Sequence, residues 1–226
     1  MLKQILQAYR TYGVMVEAEE KIREMFELAK NIFSASSLAI LEQRNVEFDL
    51  YARDREINEL VVDIRKKIVE HLSISACHNV GGELIFIKVT TDIERVGDYS
   101  KNLLDLAKLL PKPLINSRYY RKLKGIFPKV ESFFDKAERA LFDGSETDAN
   151  DVIEGHLEIN QACEEILASL LQDPKLSSHE AVAYALTARY FKRISSHLKN
   201  VASTAVNPFS HIGFMNPEEP VINEKG

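Results

Sequence analysis

Asp92-Ile-Glu-Arg-Val-Gly-Asp-Tyr-Ser-Lys-Asn102 returns 98 residues later as Tyr190-Phe-Lys-Arg-Ile-Ser-Ser-His-Leu-Lys-Asn200, and the fold is decided by how this pair is read. Arg95, Lys101 and Asn102 recur as Arg193, Lys199 and Asn200, whereas Glu94 and Asp98 become Lys192 and Ser196. Around the first copy, Ile85, Val89, Ile93, Val96, Ser100, Leu103, Ala107 and Leu110 step by three and four. That is the spacing of a helix packed along one stripe of a bundle. The run Glu83-Leu-Ile-Phe-Ile-Lys-Val-Thr90, which follows Gly81-Gly82, also suits a short strand by its β-branched and aromatic content. The length of the stripe favours the helix.

Working outward, no proline occurs before Pro111, which suits long uninterrupted helices. A first helix is predicted from about Val14 to about Ser36, with Met15, Ala18, Ile22, Met25, Ala29 and Ile32 on one face. A second carries Leu50, Ile57, Val61, Ile64 and Ile68 and fades near His71 to Ser75. Pro111-Lys-Pro113 ends the third. A second triplet follows, over about Tyr119 to Phe142, Glu146 to Leu171 and Ser178 to Ala205, with Asp143-Gly144-Ser145 as the first turn. The last of these helices has Ala183, Thr187, Phe191, Ile194, Leu198 and Val201 on its seam.

Asp54-Arg-Glu-Ile-Asn58 in the second helix is echoed by His156-Leu-Glu-Ile-Asn160, at an offset of 102. The difference between the two offsets falls in loops, where a change of length costs little. The expected fold class is therefore all-α: two tandem antiparallel three-helix bundles related by internal duplication, with helix packing of the spectrin-repeat kind. The bundles are expected over residues 1–112 and 113–206, with a C-terminal tail over 207–226 partly packed through Phe209 and Phe214.

A chain of 226 residues that is 45% hydrophobic can bury a sizeable core. Its net charge of −5 argues against holding nucleic acid by counterion release, which needs a basic face. Cys77 and Cys163 stand far apart and read as ordinary buried thiols in a reducing cytoplasm. The start, Met1 to Arg10, has no long apolar run, and no stretch reaches the roughly 18 apolar residues of a membrane helix. A soluble, cytoplasmic protein that meets a membrane only through partners is expected.

On a helix, residues four apart share a face, so Glu94 projects beside Asp98, and Asp54 beside Asn58. If helices two and three run antiparallel, the pairs can meet as a hard-oxygen site for a divalent or trivalent cation such as Mg, Mn or Fe, with Zn also possible. By spacing alone, an acidic pair is more often a solvated helix face than a pair of ligands, since its repulsion costs only about 0.2–0.5 kcal/mol. Gly97, costing roughly 1 kcal/mol inside a helix, signals close approach of something, more often another helix than a ligand.

The second copy has His156, Asn160, Lys192 and Ser196 at these places, and an ammonium repels a cation. His156 and His197 would supply nitrogen ligands only if they converge, and Lys192 is expected to form an ion pair with Glu158. Arg95 and Arg193 persist where the acids are lost, which points to structural pairing with carboxylates across helices. No P-loop, Gly-x-Ser-x-Gly elbow, zincin motif or Glu-x-x-His occurs, so an enzyme is not expected.

These motifs, spread over nearly the whole chain, resemble the PhoU family of phosphate-uptake regulators. The resemblance implies two three-helix bundles, each able to hold a metal cluster between acid-x-x-x-acid motifs on its second and third helices. On this chain the first set falls on Asp54, Asn58, Glu94 and Asp98, with Asn58 in an acidic place. Iron is the metal the resemblance favours, and the second cluster is expected to be absent or weak. The resemblance also implies a cytoplasmic, often homodimeric regulator that restrains a phosphate ABC transporter, through its ATPase, and a sensor histidine kinase when phosphate is plentiful. Rival readings are a metal-free helical interaction module, an accessory domain of a sodium-coupled phosphate transporter, and a bundle metalloenzyme that the missing His ligands disfavour.

Overall fold

Six long helices carry the architecture: α1 (Gly13–Glu42), α2 (Leu50–Ile74), α3 (Gly81–Leu109), α4 (Arg118–Asp143), α5 (Glu146–Leu171) and α6 (Ser178–Ala202). The structure is a computed structural model describing residues 13–74, 80–110, 112, 114, 117–207 and 209–213, and no strand occurs among them. The all-α expectation holds, and the stripes predicted for α1, α2 and α6 are buried along their whole length.

The contest between helix and strand at Glu83–Thr90 is decided by packing. Ile85, Phe86, Val89 and Thr90 are buried while Ile87 is only partly so, a helical pattern that strand alternation would not produce. Local β propensity yields to a tertiary stripe. The α3 seam is buried as far as Leu103 and loosens at Ala107 and Leu110.

α1 runs past the predicted stop at Ser36. Ser36 and Ser37 are fully buried, and the stripe continues through Ile40 and Leu41. The residue at which the helix was expected to end, and the serine after it, are thus inside the helix. Gln43 then ends it in the left-handed region, at φ 55°.

In the second triplet, serine hydroxyls cap each start. Ser117 accepts from the Tyr120 N–H, Ser145 from Asp148, and Ser177 from Glu180 in a reciprocal capping box. Pro128 sits inside α4 without ending it. Both Pro128 and Lys124, whose carbonyl loses its partner, lie on the exposed side, where water can take up the freed oxygen. α6 gives way at Ser203–Ala205 to a 3-10 turn, earlier than the predicted helix end. Pro111, Pro113 and Cys77 lie outside the described residues, as does Phe214. In the tail, Phe209 is 44% exposed, and Ile212, at 7%, is the residue that packs.

Helices α1, α2 and α3 pack on one another, and so do α4, α5 and α6. The triplets are joined along α3 against α6 and α1 against α4. Phe33 of α1 is central to that junction. Its ring stacks on Phe134 at 5.4 Å between centroids and meets Phe191 edge-on at 5.7 Å and Phe127 at 5.7 Å. One continuous hydrophobic core therefore runs through both bundles. Phe33→Ala should cost about 3–5 kcal/mol. Because one core is shared by both bundles, urea unfolding followed by circular dichroism should still show a single transition, moved to lower urea.

Candidate metal centre

Helices α2 and α3 run antiparallel. Tyr51 bonds Asp105, Asp54 meets Lys101 at 2.6 Å, and Arg65 bonds Thr91 at 3.2 Å. Asp54 on α2 therefore faces Asp98 and Lys101 on α3. Gly97 allows this: a Cβ there would sit 3.2 Å from Ile57 Cδ1 and 3.9 Å from Asp54 Oδ1. The close approach inferred from the glycine is that of a helix.

What lies between the acids is an ammonium. Lys101 Nζ donates to Asp54 Oδ2 at 2.6 Å and to Asp98 Oδ1 at 3.2 Å, and Arg95 donates to Asp98 Oδ2 at 3.3 Å. Asp54 is nearly buried, at 8% exposure, while Asn58 is exposed. Glu94 is half-buried and lies 3.5 Å from Arg95 Nε. Burial alone would depress the Lys101 pKa, but the bonds to Asp54 and Asp98 outweigh it and hold it above the ordinary lysine value. Among the described residues, no three His, Cys, Asp or Glu side chains form a group that could hold a metal ion. As arranged, the donors do not fit a metal cluster, because the two converging carboxylates already share a cation of the chain itself. Lys101 was visible in the repeated frame but had no role there. Its signal was its place one turn beyond Asp98, on the face shared with the acids.

The equivalent place in the second bundle has its charge reversed. His156 Nδ1 lies 2.9 Å from Ser195 Oγ, and that hydroxyl donates to the Lys192 carbonyl, so the imidazole N–H must donate to Ser195. Burial, then Lys199 and Lys192, push the His156 pKa down to about 4. Lys192 pairs with Glu164 at 2.9 Å; Glu158, its expected partner, is taken by Lys129. Both acids lie on exposed turns of α5, and periodicity could not tell which one Lys192 reaches.

Lys199, the counterpart of Lys101, donates to the Gly213 carbonyl. The strap carrying Gly213 is fixed by its N–H to Ser203 Oγ at 2.9 Å. At φ 87° and with Asn200 Oδ1 2.9 Å from any added Cβ, position 213 admits only glycine without strain. Burial pushes the Lys199 pKa down, with Asp92 opposing.

His197 does not join His156. Its Nδ1 lies 2.7 Å from Asp92 Oδ1 on α3, which also accepts from Asn200 Nδ2 at 3.1 Å, while Lys88 bonds the other Asp92 oxygen. Burial disfavours the Asp92 carboxylate, but His197, Lys88 and Asn200 outweigh that and hold its pKa below the usual range. Tyr99 stacks on His197 at 5.7 Å and accepts from Arg193 Nε at 3.2 Å. Arg95 thus pairs with acids of its own helix, and Arg193 with a tyrosine of the other bundle, rather than both with carboxylates across helices. Cys163 is buried, and burial pushes its thiol up to about 12, which leaves it inert.

The His156 site yields a pH dependence. The unfolded chain takes up this proton below about pH 6.5, and the folded chain only near pH 4, so stability falls as pH drops between those values. The loss is worth up to about 3 kcal/mol. His156→Gln, which keeps a donor for Ser195, should flatten the profile of urea midpoint against pH across that window.

The PhoU domain model matches the chain twice, over residues 22–107 and 123–205. A curated protein of Thermotoga maritima, "Phosphate-specific transport system accessory protein PhoU homolog 1", is 23% identical over 129 residues; the match spans 54% of this chain and 54% of that relative, about half its length. The crystal structure of PhoU from Pseudomonas aeruginosa superposes with a TM-score of 0.72 at 16% identity, covering 88% of this chain and 97% of that one. The phosphate transport system regulatory protein PhoU from Streptococcus pneumoniae gives 0.72 at 14% identity, covering 91% and 95%. These two likenesses establish the fold. With the domain model matched on both helical triplets, the chain belongs to the PhoU domain family.

Proposed function

We propose that this chain regulates phosphate uptake as a cytoplasmic adaptor, restraining a phosphate transporter, its sensor kinase or both by protein contact rather than by catalysis. The observation that carries the reading is the family match on both bundles, supported by relatives whose names assign them to phosphate transport systems. No helix among the described residues is long and apolar enough to cross a membrane, which agrees with action through membrane-bound partners. The ATPase of a phosphate ABC transporter and a sensor histidine kinase are the partners proposed, with the adaptor working as a homodimer.

The Phe33 cluster and the Asp92 bonds tie the bundles at two places, so a partner that grips one bundle meets the other in a fixed orientation. Deleting the gene should raise phosphate uptake in cells grown on plentiful phosphate, and the intact chain should restore restraint. Affinity capture of the tagged chain should recover the transporter ATPase or the histidine kinase. Recovery of a sodium-coupled phosphate transporter instead would favour the accessory-domain reading, and unchanged uptake in the deletion strain would remove the regulatory one.

A further inference from the structure

The oxygens that would receive a metal between α2 and α3 already hold a charge. We infer that the Lys101 ammonium is the resident cation of this site, and that the chain folds without a metal ion in either bundle. Lys101 bonds both converging carboxylates, Asp54 at 2.6 Å and Asp98 at 3.2 Å, and Arg95 bonds the second oxygen of Asp98. Asp54 and Asp98 thus share the Lys101 ammonium, while the Arg95 guanidinium is divided between Asp98 and Glu94. A divalent ion on the same oxygens would stand within contact distance of an ammonium, in a half-buried place where water screens little. It could enter only if Lys101 swung out.

The second bundle gives independent support. Its lysine at the equivalent position, Lys199, persists although Asp54 and Asp98 have become His156 and Ser196. Lys199 bonds a carbonyl instead, that of Gly213, presented by the strap that follows α6. In each bundle the cation at this place belongs to the chain, and only the acceptor differs: a pair of carboxylates in one, a backbone oxygen in the other. Asn58 is exposed and Glu94 lies against Arg95, so the rest of the predicted donor set is not drawn to the centre. Metal-free folding is expected whichever partner the chain regulates.

Metal content and thermal stability test this directly. Wild-type protein purified without chelator should carry less than about a tenth of an equivalent of Fe, Mn or Zn. Its Tm should move by no more than about 1 °C with EDTA or with added Mn2+, Fe2+ or Zn2+. Lys101→Met frees the two carboxylates. It should acquire saturable Mn2+ binding with a raised Tm, lost again on adding Asp98→Asn, whereas Lys101→Arg, which keeps the charge, should remain insensitive to metal. Stoichiometric metal in the wild type that Asp98→Asn removes would overturn the inference, as would a folded Lys101→Met protein that ignores every metal. If Lys101→Met folds only when Mn2+ is supplied, that is the expected gain in another form; if it folds under no condition, the wild-type metal content and Tm decide alone.

Discussion

The packing of α3 against α6 governs the rest of the structure. These are the two helices that carry the repeated frame, and they meet through equivalent positions. Tyr99 and His197, which occupy the same place in the two copies, stack on each other at 5.7 Å. The contact of Asp92 with His197 has as its counterpart the ring contact of Tyr190 with Tyr99, at 6.1 Å. The pairing of the copies is thus close to two-fold symmetric, with an ionic contact on one side and an aromatic one on the other. A buried carboxylate such as Asp92 is costly without partners, and its three donors on two helices fix how the bundles sit.

Because one face of the frame is used between the bundles, the opposite face is left for the helix next to it. On α3 that face holds Gly97, Asp98 and Lys101 against α2, and on α6 it holds Ser195 and Lys199, which face α5 and the strap. The loss of acids in the second copy is then a local exchange. His156 and Ser195 form a neutral hydrogen-bonded pair where the first copy has charges, and Lys199 turns to the Gly213 carbonyl. The bonds of Asp92 across the bundles are made by His197 and Asn200, which lie outside this exchange, so a common frame can carry two electrostatically unlike sites. A body built this way suits an adaptor, since the surfaces on its two bundles keep a constant mutual geometry.

Much of this was legible in the sequence, for physical reasons. Helices reveal themselves by the period of their buried stripe, and the stripe of α3, read from Ile85 to Leu110 and buried as far as Leu103, was enough to set aside a strand that local propensity favoured. The start of α5 was also readable, because Asp143-Gly144-Ser145 is a turn signal and the helix begins directly after it. The period does not say which edge of a stripe meets the other triplet. For that reason the joining of the bundles through Phe33, and the role of Asp92, could not be found in advance. The spacing put Asp54 and Asp98 on facing sides of α2 and α3, but it does not show the lysine that joins them, because a sequence gives spacing and not where a long flexible side chain ends. The same reach explains why Lys192 bonds Glu164 and not Glu158.

The central claim is that the chain supplies its own cation where α2 and α3 face each other. The most direct measurement is anomalous X-ray scattering from crystals grown with excess Mn2+ or Fe2+, with data collected at the absorption edge of the metal. The account predicts no anomalous peak between Asp54 and Asp98, and clear density for the Lys101 ammonium bonded to both carboxylates. A strong peak at that position, coordinated by Asp54 and Asp98 with the Lys101 side chain turned away, would contradict it.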